Sequence, residues 1–232
     1  MKKIILSTLI SFLILWATIQ AGEYRIFKDT QGREMEAMIS RVSDDDVYIE
    51  RRDGLSTKVN RSIFSQLDQK YIAQWAKEKL LESDIFEVRF STKIDSRHEE
   101  LKDGYLMLDE REVYQNIIVK NTAPRDIDNI KLEYFILKFQ DQPSAKKRSE
   151  GNTIRIKGEI PLGLLRQRSE CTFRTKKFKL LNTKLAPNAI WETGGKRTSK
   201  DQIRGIWVRI YVDEKLVHES SKPENMMRKE IW

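Results

Sequence analysis

Few residues in this chain are spaced for chemistry. It has two histidines, His98 and His218, about 120 residues apart. Neither stands in the His-Glu-x-x-His pattern that sets two zinc ligands on one helix face. Gly194-Gly195-Lys196-Arg197-Thr198-Ser199 has the glycines and the lysine of a phosphate loop. The lysine is not followed directly by Ser or Thr, though, and the upstream glycine is missing, so a cradle of backbone N–H groups is not specified. Ser169-Glu170-Cys171 lacks the glycines of a hydrolase elbow. Asp44-Asp45-Asp46 crowds three carboxylates, but a calcium loop needs alternating oxygen ligands and a distal bidentate Glu. The run reads as a solvated hairpin tip. The expectation is a protein that is not an enzyme, with no cofactor and no metal.

Charge offers a different chemistry. The chain carries a formal net charge of +8, and its distribution is uneven. Residues 22–81 hold 11 Lys/Arg against 11 Asp/Glu, whereas residues 144–204 hold 16 against 5. Arg174, Lys176, Lys177, Lys179, Lys196 and Arg197 are the candidates for polyanion contact, with Arg166, Arg168, Lys184 and Lys200 nearby. Such a cluster binds polyanions by releasing counterions and is salt-sensitive. The competing reading is a solvated strand face, because alternating Lys and Arg also discourage edge-to-edge aggregation.

The N-terminus narrows the partner. Met1-Lys2-Lys3 is basic, Ile4 to Ile19 is almost wholly apolar, and Gln20-Ala21-Gly22 brings small residues to a cleavage point. This is the grammar of a secretory signal over 1–21. Glu23 and Arg25 cut the run short of the roughly 20 apolar residues that span a bilayer. The protein is therefore expected to be exported, periplasmic or extracellular, and not integral to a membrane after cleavage. Nucleic acid is then not an expected partner; an anionic envelope polysaccharide or lipid headgroup is. Cys171 is the single cysteine, which excludes an intrachain disulfide, and it is expected to be a small buried residue of a strand.

The elements that would position such surfaces fall into two sets. In residues 22–81, Met35, Ala37 and Ile39 alternate with Glu34, Glu36 and Met38, and Val47 and Ile49 with Tyr48 and Glu50, the period of half-buried strands. Asp29-Thr30-Gln31-Gly32 marks a turn, and Asp53-Gly54 marks a tight hairpin between Tyr48–Glu50 and Ser56–Val59. Ser65-Gln66-Leu67-Asp68 fits a capping box. Leu67, Tyr71 and Trp75 then recur every four residues, with Ile72 beside them, so this helix face should close one side of the sheet. The expectation is a small, strongly bent sheet or barrel with a C-terminal helix.

Arg25-Ile26-Phe27-Lys28-Asp29, Gly32, Glu36-Ala37, Val42, Asp46-Val47, Ile49, Asp53-Gly54, Phe64-Ser65, Asp68 and Tyr71-Ile72 carry a resemblance. Residues 24–76 resemble the Sla homology domain 1 family, a module of a eukaryotic endocytic adaptor with similar copies in secreted bacterial proteins. The resemblance implies an SH3-like barrel and recognition of a short peptide, which in the adaptor is Asn-Pro-Phe-x-Asp. Phe27 stands where the family usually has Trp, and Val59-Asn60-Arg61 lacks the proline common before the last turn. No peptide-binding residue is carried over.

Beyond Leu80-Leu81-Glu82-Ser83 the helical pattern stops. Strand patterns follow at Phe86–Ile94, Val113–Lys120, Ile130–Phe139, Thr153–Ile160, Cys171–Leu180, Ile206–Val212 and Leu216–His218. Polar connections and no long helix predict an antiparallel β-sandwich over 82–222, immunoglobulin-like in general form. Residues 223–232 form a C-terminal tail, docked or loose. Trp207 and Tyr211 share a strand face and are expected in the core. The fold class is mainly β. The leading expectation of function is a protein- or peptide-binding module acting through the barrel; the alternative is a structural envelope component that docks through the basic face.

Overall fold

A computed structural model describes residues 23–147, 150–192 and 194–232. The expected signal, residues 1–21, lies outside them. The chain is mainly β, its sheets are antiparallel, and it divides into two compact units after Leu80.

The first unit is a meander of β1 (Arg25–Lys28), β2 (Glu34–Ser43), β3 (Asp46–Arg51) and β4 (Ser56–Asn60), hydrogen-bonded in that order. A 3-10 turn (Arg61–Ile63) leads into helix α1 (Gln66–Leu81). Ala37, Ile39, Val47 and Ile49 are buried, as their alternation requires, and they form one core with Phe27, Phe64 and Ile72. The expected barrel is not closed among the described residues: β1 and β4 do not pair. What closes the β1 side is the segment before the helix. Asp29 bridges to Phe64, the Thr30 N–H donates to the Ile63 carbonyl at 2.9 Å, and the Ser65 N–H donates to the Lys28 carbonyl at 2.8 Å.

The helix start follows its sequence signature with one change of partner. Ser65 Oγ accepts the Asp68 N–H at 3.2 Å and donates to the Asp68 carboxylate at 2.8 Å. The Ser65 N–H is already spent on Lys28, so the Asp68 carboxylate turns instead to the Lys28 N–H and the Arg25 guanidinium, each at 2.9 Å. A second expectation is corrected. Leu67 is 76% exposed, whereas Ile72 is fully buried; the inward stripe runs through Asp68 and Ile72, with Tyr71 and Trp75 packed at its margin. Leu67 follows the cap, and the buried position goes to the neighbouring Asp68 because its carboxylate has backbone and guanidinium donors to satisfy.

The second unit has nine strands among the described residues. One sheet runs β11 (Thr198–Lys200), β10 (Phe178–Leu185), β6 (Leu106–Asn121), β5 (Phe86–Lys102), with β9 (Glu170–Arg174) also on β6. The other runs β13 (Lys215–Lys222), β12 (Gln202–Val212), β7 (Ile127–Asp141), β8 (Gly151–Leu165). The expected strand Cys171–Leu180 is two strands. β9 pairs with Asn116–Lys120, β10 with Leu106–Val113, and the break between them is held by two side chains. Thr175 Oγ1 accepts the Gln115 N–H at 2.9 Å, and the Tyr134 hydroxyl of β7 accepts the Lys176 N–H at 2.8 Å.

β5 and β6 also run further than their apolar residues alone predict. Their outer halves form a charged arm closed by Asp103-Gly104, both at positive φ (52° and 75°). They are the two central residues of a turn closed by the Tyr105 N–H on the Lys102 carbonyl at 3.2 Å, with three residues between the paired Lys102 and Leu106, and Asp-Gly is the sequence pair that best accepts two successive positive φ angles. Between the two sheets, buried groups are tied across. Asn121 Nδ2 donates to the Arg125, Leu165 and Arg166 carbonyls, and Lys138 pairs with Asp201 at 2.9 Å. Cys171 is exposed on β9, against expectation: the paired edge strand turns that side chain to solvent.

The tail is docked. Helix α2 (Met226–Lys229) and Trp232 lie on the outer face of β7 and β12, where Phe135, Leu137, Trp207 and Met226 are buried together. Trp207 is thus in a core, but a satellite one on the outer face; Ile206, Val208, Ile210 and Val212, the alternate positions, are buried on the other face.

Candidate functional site

In the first unit the chemistry lies in the backbone of β4. Arg51 N–H donates to the Leu55 carbonyl at 3.0 Å, and Arg61 N–H donates to the Asp45 carbonyl at 2.7 Å. Between these two bonds the register pairs Ile49 with Thr57 and Val47 with Val59. Bonded pairs in an antiparallel ladder recur every second residue, so Thr57 and Val59 spend their main-chain groups on β3. Ser56 and Lys58 must turn their N–H and C=O away from it. No strand pairs with β4 on that side among the described residues. The Thr57 and Val59 side chains are half-buried and those of Ser56, Lys58 and Asn60 exposed, so the edge has one apolar and one wet side.

An edge lysine normally guards such a strand. Here Lys58 Nζ is drawn back onto Asp46 of β3 at 2.6 Å, and that hydrogen bond holds the ammonium pKa above its ordinary value. The charge sits over the sheet rather than beyond its edge. The opposite edge, β1, is used up by the contacts with Ile63, Ser65 and Asp68 described above.

The six basic candidates are not gathered into one free patch. Lys177 pairs with Asp95 at 2.5 Å and faces Glu112 at 3.5 Å; Lys179 pairs with Glu110 at 2.8 Å. The Asp95 and Glu110 hydrogen bonds raise the pKa of these two lysines. Lys196 is partly buried against Asp141, and Arg197 donates to the Ala186 and Pro187 carbonyls. Arg174 lies over the Tyr114 ring at 5.2 Å, and Lys176 is exposed. Four of the six therefore hold loops or strands. The acidic partners come from β5, β6 and β7, 55 to 82 residues away, so counting charge along the sequence does not find them.

The charged arm makes a second concave surface. Leu101, Met107 and Leu108 line a cleft of about 360 Å³ with Arg97, Asp109 and Asn182. The Arg111 and Arg97 guanidiniums hold the Asp109 carboxyl well below the usual carboxylate range. Sequence reasoning missed this arm, although Asp103-Gly104 was its signal.

The remaining sequence candidates are dispersed. His98 is exposed on β5 opposite Glu110, and His218 on β13 faces Asp84 at 3.0 Å. The Gly194–Ser199 stretch runs from a loop into β11, with the Lys196 carbonyl accepting the Trp191 indole N–H at 2.9 Å. Asp44 and Asp45 form the β2–β3 hairpin tip, Asp44 at φ 53°. No group of three His, Cys, Asp or Glu able to hold a metal ion occurs among the described residues. No helix among them is long and apolar enough to cross a membrane.

No family model matches the chain, and no curated protein matches it. Solved structures with some likeness include a Northeast Structural Genomics Consortium target, SoR45, at 9% identity and a TM-score of 0.30, covering 60% of this chain and 86% of that one. Bacteroides uniformis beta-glucuronidase 2 matches at 12% identity and a TM-score of 0.27, over 57% of this chain and 12% of the enzyme. An Akkermansia muciniphila protein matches at 13% identity and a TM-score of 0.24, over 64% and 76% of the two chains. At these scores none carries a functional argument.

Proposed function

We propose that this is a non-enzymatic binding protein that takes an extended peptide, or a strand of a partner protein, onto the open edge of β4. The observation that carries the reading is the pair of outward-turned main-chain positions, Ser56 and Lys58, on an edge whose lysine is tied back to Asp46. Strand addition draws affinity from such backbone groups and selectivity from alternate side chains. The half-buried Thr57 and Val59 supply that alternation. The reading includes kinship of residues 24–76 with the Sla homology domain 1 family, resting on the motif residues, and a sandwich packing of the two sheets of the second unit, supported by the Tyr134, Lys138 and Asn121 links. It also includes export by the apolar run Ile4–Ile19. Docking on an anionic envelope polymer has less support, because Lys177, Lys179 and Lys196 already hold carboxylates.

The test is a random-peptide display screen on the protein, with hits re-measured against a Lys58→Pro variant at two salt concentrations. Proline there removes an N–H that faces away from β3, so the sheet should tolerate it. The expected result is a consensus whose affinity barely responds to salt and drops at least tenfold in the variant. Absence of enrichment, or binding indifferent to Lys58→Pro, would overturn the proposal.

A further inference from the structure

The outer face of β7 and β12 holds the last residues of the chain through a small set of directional contacts. Arg155 of β8 uses two nitrogens separately: Nη2 donates to the Glu230 carboxylate at 2.7 Å and Nη1 to the Ile231 carbonyl at 2.6 Å. The Trp232 ring lies 5.2 Å from both Phe135 and Trp207 and is covered by the Arg209 guanidinium at 4.3 Å. Between these anchors the Ile231 side chain is 82% exposed and selects nothing. Met226 seats the start of the segment where Gly205 leaves room: a Cβ on Gly205 would come within 2.5 Å of the methionine sulfur.

These contacts read a pattern, acidic residue, any residue, tryptophan. A forked guanidinium takes a carboxylate and a main-chain carbonyl together, which a simple apolar seat does not require. An aromatic ring between two others and a cation is a strong anchor for little area. The fit is also incomplete. Trp207 is 5% exposed, and its buried Nε1 has no hydrogen-bond acceptor among the described residues. A segment that brought an acceptor to that nitrogen would bind better than the chain's own.

We propose that this face is a peptide-recognition site for an acidic-x-Trp segment, filled in this chain by its own Glu230-Ile231-Trp232 and open to competition from a partner protein bearing the same pattern. The site lies in the second unit and does not rest on the β4 reading. A tethered segment competes at an effective concentration in the millimolar range, so the intact chain masks the site until the partner is abundant or the strap is weakened.

The experiment uses the full chain carrying Trp232→Ala and a fluorescein-labelled peptide of sequence Asn225–Trp232, followed by anisotropy. Saturable binding is expected, at least tenfold tighter than to the unsubstituted protein. Replacing the peptide's glutamate by alanine, or adding Arg155→Ala to the protein, should weaken it at least tenfold. A Glu230→Ala chain takes the place of Trp232→Ala if the latter does not fold, with the same expectations. No saturable binding by a folded variant, equal binding to both chains, or indifference to Arg155→Ala would each overturn the proposal.

Discussion

Asp68 shows what one side chain does in the first unit. Burial by itself would raise its carboxyl pKa, and the Lys28 N–H, the Ser65 hydroxyl and the Arg25 guanidinium outweigh burial and lower it. A carboxyl whose pKa is lower in the folded than in the unfolded chain stabilises fully above its ordinary value, 3.8, and loses that contribution as pH falls below it. Asp68→Asn should therefore cost about 1.5–3 kcal/mol at pH 7 by urea unfolding, the range of hydrogen bonds to a charged group. The gap between variant and parent should narrow in acid below pH 3.8. A gap independent of pH would show that the charge contributes nothing. Lys138 poses the same question in the second unit. Its ammonium is buried against Asp201 and also donates to the Lys179 carbonyl. Lys138→Met leaves the Asp201 carboxylate buried without its cation, so a loss of about 3–5 kcal/mol is expected by denaturant unfolding. Both residues are ordinary letters in the sequence. Asp68 was legible as part of a capping box; Lys138 was hidden inside an apolar strand, because its partner is 63 residues ahead.

At the scale of elements, period and turn chemistry were readable and phase was not. The alternation of Ala37, Ile39, Val47 and Ile49 placed two strands correctly, since a pleated strand presents every second residue to the same side. Helix α1 was placed but rotated. Leu67, Tyr71 and Trp75 and the Asp68–Ile72 pair are neighbouring stripes, and hydrophobicity alone favours the one with leucine. The sheet chose the other, because the Asp68 carboxylate reaches the Lys28 N–H only from there. Ile72→Ala should consequently cost about 2–5 kcal/mol, whereas Leu67→Ala should stay within about 0.5 kcal/mol. Thermal melts of the two variants check this, and equal shifts would contradict the observed rotation. The β5–β6 arm went unseen for the opposite reason. It has a decisive turn but few apolar residues, and its strands are held by backbone pairing and by ion pairs such as Arg97–Asp109 at 2.7 Å.

At the scale of the whole molecule, the core of the first unit is drawn, among the described residues, from residues 27–75, with Met35, Val42, Val59, Tyr71 and Trp75 packed around seven buried side chains. A unit this small is near the lower limit for independent folding. Its self-contained core nevertheless predicts that a fragment of residues 23–81 melts cooperatively. A dispersed amide spectrum with a sigmoidal melt is the expected measurement; a broad, non-cooperative transition would mean that its core needs the rest of the chain. The sequence by itself determined that the chain is mainly β, where most strands and turns lie, and where the helix begins, because those depend on neighbours a few residues apart. Only the tertiary structure decided that β6 is shared by β5, β9 and β10, that Lys177, Lys179 and Lys196 meet distant carboxylates, that β4 has no strand on its outer side among the described residues, and that Trp232 settles on Phe135 and Trp207. A strand's pattern states which face it buries and leaves its partner unstated. That choice rests on register, loop closure and packing between residues far apart in the chain.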